Sequence, residues 1–268
     1  MLRSRVITAT VLVSLLVVSL YALTNLQVAL ILGLFAILGA WEWTALCGAK
    51  SASLRLAFVL TLGLAGVLLY AQSTVLIPVL VISVGWWLWA VVKLGSKSVP
   101  AKSWVCLLRG LLFLLPCWYA MVYLHNSGPM GSTLLLLLFV IVWIADTAAY
   151  FAGKAWGRVK LAPNISPGKT VEGFLAGVAA VVLFSLVSGI LVWGYHGWRL
   201  LSWVVICTIA GLLSVVGDLV ESKLKRTAGV KDSGVILPGH GGVLDRADSI
   251  SAAAPAFALG WVAMQQTT

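Results

Sequence analysis

Residues 217–248 read GDLVESKLKRTAGVKDSGVILPGHGGVLDRAD and connect the last two apolar runs of the chain, 200–221 and 249–264. Five of the chain's eight acidic residues fall here: Asp218, Glu221, Asp232, Asp245 and Asp248. The other three are Glu42, Asp146 and Glu172. Carboxylates are costly near hydrocarbon, so an apolar chain keeps them where they are paired, ligated or wet. The same stretch carries Lys223, Lys225, Arg226, Lys231 and Arg246, with Pro238 and three glycines around His240. Acids, cations and glycines in one segment point to a metal-assisted phosphate site.

The surroundings of this segment set the fold class. The chain is 61% hydrophobic and 10% charged, with a mean hydropathy of +1.06. A soluble domain of this length is excluded, and an all-α polytopic membrane protein is predicted. A bilayer is crossed by about 20 apolar residues. Nine spans are predicted, at 6–22, 26–47, 54–71, 74–92, 104–124, 133–152, 171–193, 200–221 and 249–264. No linker separates soluble units, so residues 1–268 read as one membrane domain.

The net charge of +10 does not indicate a nucleic-acid surface. Sixteen of the eighteen basic residues fall at alternate span ends: Arg3 and Arg5; Lys50 and Arg55; Lys93, Lys97 and Lys102; Lys154, Arg158, Lys160 and Lys169; and the five of the 217–248 stretch. Arg199 lies on the opposite side, and Arg109 lies one to two turns inside the fifth span. By the positive-inside rule the N-terminus and the large loops face the cytoplasm. The first span reads as a retained helix, not a cleaved leader, because no clear small-x-small site follows it. Cys47, Cys106, Cys117 and Cys207 lack CxxC spacing and are expected as unpaired buried thiols. Trp41, Trp43, Trp104, Trp193 and Trp203 lie near predicted span ends and are expected as interfacial belts.

This topology puts seven of the eight acids at one depth on the cytoplasmic side, with Asp232 in the last loop. Asp218 and Glu221, three apart, share a helix face. Asp245 and Asp248 have the same spacing at a helix start, where capping competes with ligation. Capping does not account for Asp218, which sits at the end of a helix where the dipole disfavours an anion. Oxygen donors alone suit Mg²⁺, and the absence of a His/Cys cluster argues against zinc. Gly241 and Gly242 allow backbone amides to approach a phosphate. For His240, phosphate contact and loop structure remain equally open. The roles of Glu42 and Glu221 also stay open.

A second loop, 153–172, contains Gly168-Lys169-Thr170. It is not a P-loop, because Pro163 stands where the first glycine belongs. It does lead into a helix, whose free amides bind phosphate groups, and Lys169 adds a point charge. Glu172 sits in the first helical turn as a cap or a ligand contact. Asp146, with Tyr150 four residues on, could hold a lysine, a metal or a ribose hydroxyl.

The run from Ser222 to Asp248 resembles the C-terminal signature of the phosphatidate cytidylyltransferase (CDP-diacylglycerol synthase) family. The matching residues are Ser222, Leu224, Lys225, Arg226, Lys231, Asp232, Gly234, Leu237, Pro238, His240, Gly241, Gly242, Val243, Asp245, Arg246 and Asp248. Ala247 departs from the pattern, which usually has a larger aliphatic residue or Thr there. DTAAYFAGKAWGR (146–158) and SPGKTVEG (166–173) are also similar to family segments. The resemblance implies transfer of CMP from CTP to phosphatidic acid, with Mg²⁺ and a possible second cation. It also implies a homodimer in the bacterial inner membrane, with the active site facing the cytoplasm. Asp218, Asp245 and Asp248 map to its metal-binding acids. Lys225, Arg226 and His240 join them as candidate catalytic residues. Lys169, Asp146, Glu172, Lys231, Arg246, Gly241 and Gly242 are the candidate substrate contacts. The nearest rival is a related CTP-using membrane enzyme acting on another lipid, such as a polyprenol kinase or an isoprenoid-ether cytidylyltransferase. A secondary transporter would instead place its acids at the membrane midplane.

Overall fold

In hydrocarbon every backbone amide must be satisfied within its own segment, so apolar runs of this length fold as helices. The computed structural model describes residues 13–96, 102–236 and 241–266. Arg3, Arg5, Lys97, Leu237, Pro238 and His240 lie outside the described residues. A short apolar helix, α1 (Val13–Ala22), precedes eight helices that are long and apolar enough to cross a membrane. These are α2 (Asn25–Leu46), α3 (Ala52–Tyr70), α4 (Leu76–Leu94), α5 (Ser103–His125), α6 (Gly131–Trp156), α7 (Val171–Leu191), α8 (Gly197–Thr227) and α9 (Leu244–Gln266). They match the second to ninth predicted spans, and α1 covers the described part of the first.

Three departures from the sequence reading concern local structure. First, part of the 153–172 loop is a hairpin, with β1 (Lys160–Ala162) antiparallel to β2 (Ser166–Thr170). Second, α8 continues past residue 221 to Thr227, and its 31 residues span about 46 Å at 1.5 Å per residue. That exceeds a hydrocarbon core of about 30 Å, so its charged last turns extend beyond the core. Third, α9 begins at Leu244, which puts Asp245 and Asp248 on the helix itself.

α9 is the central helix, packing against α8, α5, α4, α6 and α2. Its run from Ser249 to Ala258 is buried and rich in alanine, so backbones approach closely, as small residues permit in membrane bundles. The closest approach is to α8. A Cβ on Gly217 would collide with the Asp248 carbonyl. Glycine there lets α8 and α9 bring Asp218 and Asp248 together.

Trp43 and Trp203 were expected in interfacial belts but are fully buried, at 2% and 0% exposure. Each indole N–H has a partner, Trp43 on the Cys106 carbonyl (2.9 Å) and Trp203 on Ser188 Oγ (3.2 Å), which removes the cost of burying it. Trp41 and Trp104 are exposed as expected. The cysteine expectation is corrected as well. Cys47 and Cys106 are joined in a disulfide that ties the end of α2 to the first turn of α5. Tertiary packing brings them together where sequence spacing gave no sign of a pair. Cys117 and Cys207 are free and buried as expected.

Candidate active site

The basic end of the bundle carries two connected polar regions. The first is a cavity of about 600 Å³ between α6, the hairpin, α7 and α8. Asp146, Tyr150, Lys154, Gly168, Lys169 and Asp218 are among its lining residues. Lys169 stands at the end of β2, directly before the first residues of α7. Its Nζ meets Asp218 Oδ2 at 2.6 Å, with the side chains 24% and 25% exposed. Ser222, one turn further along α8, donates to Asp218 Oδ1 (3.0 Å). Asp146 lies within electrostatic reach of Lys169 and Asp218 and beside the Ser249 hydroxyl. Thr170 is the N-cap of α7, accepting from the Gly173 amide at 3.2 Å.

The second region joins α8 to α9 and to the preceding loop. Lys225 Nζ donates to Asp245 Oδ1 at 2.6 Å and lies 3.5 Å from Glu221 Oε1. Asp245 Oδ2 accepts from the amides of Gly242 (2.8 Å) and Ser233 (3.0 Å). Asp248 accepts from the Ser249 amide (2.7 Å) and faces Asp218 and Glu221 electrostatically. Both Glu221 oxygens are buried without a hydrogen-bond partner.

Glu42 of α2 anchors this region from the far side of the bundle. It is 3% exposed. Its carboxylate accepts from the Val243 amide (3.0 Å), the Leu244 amide (2.9 Å) and the Ser233 hydroxyl (3.0 Å). The first amides of a helix have no partner within it, and here a carboxylate from another helix supplies one. A Cβ on Gly242 would clash with Ser233 Oγ and Glu42 Oε2, so glycine there lets the loop, Glu42 and Asp245 interlock. Sequence reasoning left Glu42 undecided. Its one legible signal is an acid near the basic end of a span that otherwise has no charge.

The sequence matches known proteins along nearly its whole length. A model of the cytidylyltransferase family matches residues 3–263. A Pseudomonas aeruginosa protein named phosphatidate cytidylyltransferase is 41% identical over 268 residues, covering 98% of each chain. The chain belongs to the phosphatidate cytidylyltransferase family. A Haemophilus influenzae relative of the same name is 37% identical over 285 residues, covering 96% of this chain and 97% of its own. One from Brucella suis is 37% identical over 219 residues, covering 80% and 76%. Membership makes the chain a membrane nucleotidyltransferase.

Seen as a member of this family, the chain sorts its predicted site residues into three groups. Asp218, Asp146 and Lys169 meet at the cavity. Asp245, Asp248, Lys225 and Gly242 belong to the α8–α9 network, where the Gly242 amide is used on Asp245. Gly241 adjoins this second group, beside Asp245 Oδ2. The remaining residues form the third. Glu172 accepts from the Val159 amide (3.1 Å) and so ties the start of α7 to the hairpin. Lys231, Arg226 and Arg246 are exposed, with Arg226 Nη1 reaching the Val230 carbonyl at 3.5 Å. Gly241 forms a turn at φ +84°. His240 is outside the described residues.

No group of three His, Cys, Asp or Glu side chains forms a metal cluster among the described residues. The donor chemistry nevertheless fits a hard divalent cation. Asp146, Asp218, Glu221, Asp245 and Asp248 outnumber the two lysines paired with them. Oxygen-rich sites with excess negative charge suit Mg²⁺ completed by phosphate oxygens.

Proposed function

We propose that the protein transfers the CMP group of CTP to phosphatidic acid, giving CDP-diacylglycerol and pyrophosphate. The observation that carries this reading is the meeting of Lys169 and Asp218 on the wall of one cavity, at the start of α7. That cavity is of a size for a nucleotide, and its cation and helix start suit the phosphates. The relatives' shared name supports the lipid acceptor.

A phosphate oxygen of phosphatidic acid attacks the α-phosphorus of CTP. A P–O bond forms there as the bond to the β-phosphate bridging oxygen breaks, and pyrophosphate leaves with that electron pair. The attacking oxygen is already anionic, so no strong general base is required. The barrier lies in charge repulsion and alignment, which positioned cations reduce. Asp218, Asp248 and Asp245 would hold Mg²⁺, Asp245 through Oδ1 because Oδ2 already accepts two amides, and the cation's charge would offset phosphate repulsion. Lys169 binds and orients the CTP phosphates, exchanging Asp218 for them. Asp146 holds Lys169 in place. Lys225 stays with Asp245 and keeps the start of α9 in register with α8. Arg226, Lys231 and Arg246 attract the lipid and pyrophosphate from the exposed rim, where a guanidinium can bind phosphate in two places. The basic end faces the cytoplasm of a bacterial inner membrane, and the protein works as a homodimer.

Purified protein given CTP, phosphatidic acid and Mg²⁺ should move label from the α-phosphate of CTP into lipid, with one pyrophosphate released per lipid formed. Label entering lipid from the γ-phosphate, with CDP released, would identify a kinase and overturn the assignment.

A further inference from the structure

Arg109 has no place in the reaction cavity, yet it lies in a helix long and apolar enough to cross a membrane, where ionisable side chains are few and usually functional. It lines a second cavity of about 540 Å³ between α2, α4, α5 and α8. This cavity is on the other side of α8. Lys223, which lines it, is five residues from Asp218 and so about 140° around the helix. The two cavities share no lining residue.

The second cavity is cationic and aromatic. Lys93, Arg109 and Lys223 line it together with Trp86 and Trp89. The Arg109 guanidinium lies over the Trp89 ring, 5.6 Å from its centroid, and is an electrostatic neighbour of Lys223. Lys223 Nζ is held at the end of α4 by the carbonyls of Lys93 (2.6 Å), Leu94 (3.1 Å) and Ser96 (2.8 Å). Among the described residues no carboxylate forms an ion pair with any of these three cations. Like charges grouped without a counter-ion in a partly desolvated cavity repel one another, and a bound anion relieves this.

Depth and shape identify the anion's source. Arg109 is six residues after the start of α5, about 9 Å along its axis. Trp89 is five residues before the end of α4 and is exposed. Both stand at the interfacial level where lipid headgroups and tryptophan belts lie. A free phosphate needs only the cations, whereas a phospholipid also uses the tryptophan-lined wall. Basic pockets between membrane helices bind anionic headgroups in this way.

We propose that this cavity is a binding site for the headgroup phosphate of an anionic phospholipid, separate from the reaction cavity. The proposal does not depend on the assigned reaction. The test is native mass spectrometry of the purified full chain, titrated with phosphatidylglycerol or phosphatidylcholine. Wild type should bind one phosphatidylglycerol more tightly than R109Q by about fivefold, with no difference for phosphatidylcholine. R109K should recover part of the binding, which separates charge loss from misfolding. D218N should bind phosphatidylglycerol like wild type even when turnover is lost, so the two readings fail separately. Equal phosphatidylglycerol binding by wild type and R109Q would overturn the proposal. So would displacement of the lipid by millimolar inorganic phosphate, which would mark a site for the free anion.

Discussion

Lys225–Asp245 and Lys169–Asp218 have the same 2.6 Å separation but different surroundings. In the first pair both side chains are 10% exposed, and Asp245 has two backbone amides as further donors. In the second, both side chains are about a quarter exposed on a cavity wall. Removing one partner of a buried pair leaves a stranded charge and costs about 3–5 kcal/mol, whereas a solvated pair contributes about 1 kcal/mol or less. Equal geometry therefore supports unequal roles. Lys225 locks the loop and α9 onto α8, while the Lys169–Asp218 pair opens onto a cavity.

Breaking the locked pair should give the largest effect. Lys225→Ala should lower stability by about 3–5 kcal/mol, read as a large fall in Tm of the detergent-solubilised protein. A change in Tm within error would remove the distinction between the pairs. On the cavity side, Asp218→Asn should reduce turnover by about 100-fold or more while Tm stays near wild type. Steady-state kinetics and thermal unfolding on one preparation check both halves of that statement. Glu42→Gln comes next. It retains the shape of the carboxylate, but its amide nitrogen cannot accept, so at least one of the three hydrogen bonds is lost along with the charge, a cost of about 2 kcal/mol. Hydrogen exchange should rise at Val243 and Leu244 and stay unchanged on the hairpin.

The two regions also differ in how far their sequence could be read. The spans were legible because hydrocarbon imposes length and composition directly, and the alternating basic ends gave the acids a common depth. Gly168-Lys169-Thr170 stands out in the sequence because it leads into a helix start, and the structure puts Lys169 on the cavity wall. The Lys225 region was less so. Its anchor, Glu42, lies some 200 residues away from the amides it accepts, and no local pattern predicts a partner at that distance. The same limit hid the Cys47–Cys106 link and the burial of Trp43 and Trp203, all set by tertiary packing. The hairpin was missed because Ser166-Pro167-Gly168-Lys169-Thr170 lacks the apolar alternation of a strand. The end of α8 was placed early because charge marks where hydrocarbon stops and carries no signal for where a helix stops.

The nucleotide is proposed to occupy the Lys169–Asp218 cavity. The most direct measurement is the KM for CTP of Lys169→Ala, taken at saturating phosphatidic acid alongside the KM for lipid. The KM for CTP should rise about tenfold, as expected for loss of one charge-assisted contact, with Tm and the lipid KM unchanged. A normal KM for CTP with a raised lipid KM would contradict it and assign the cavity to the acceptor.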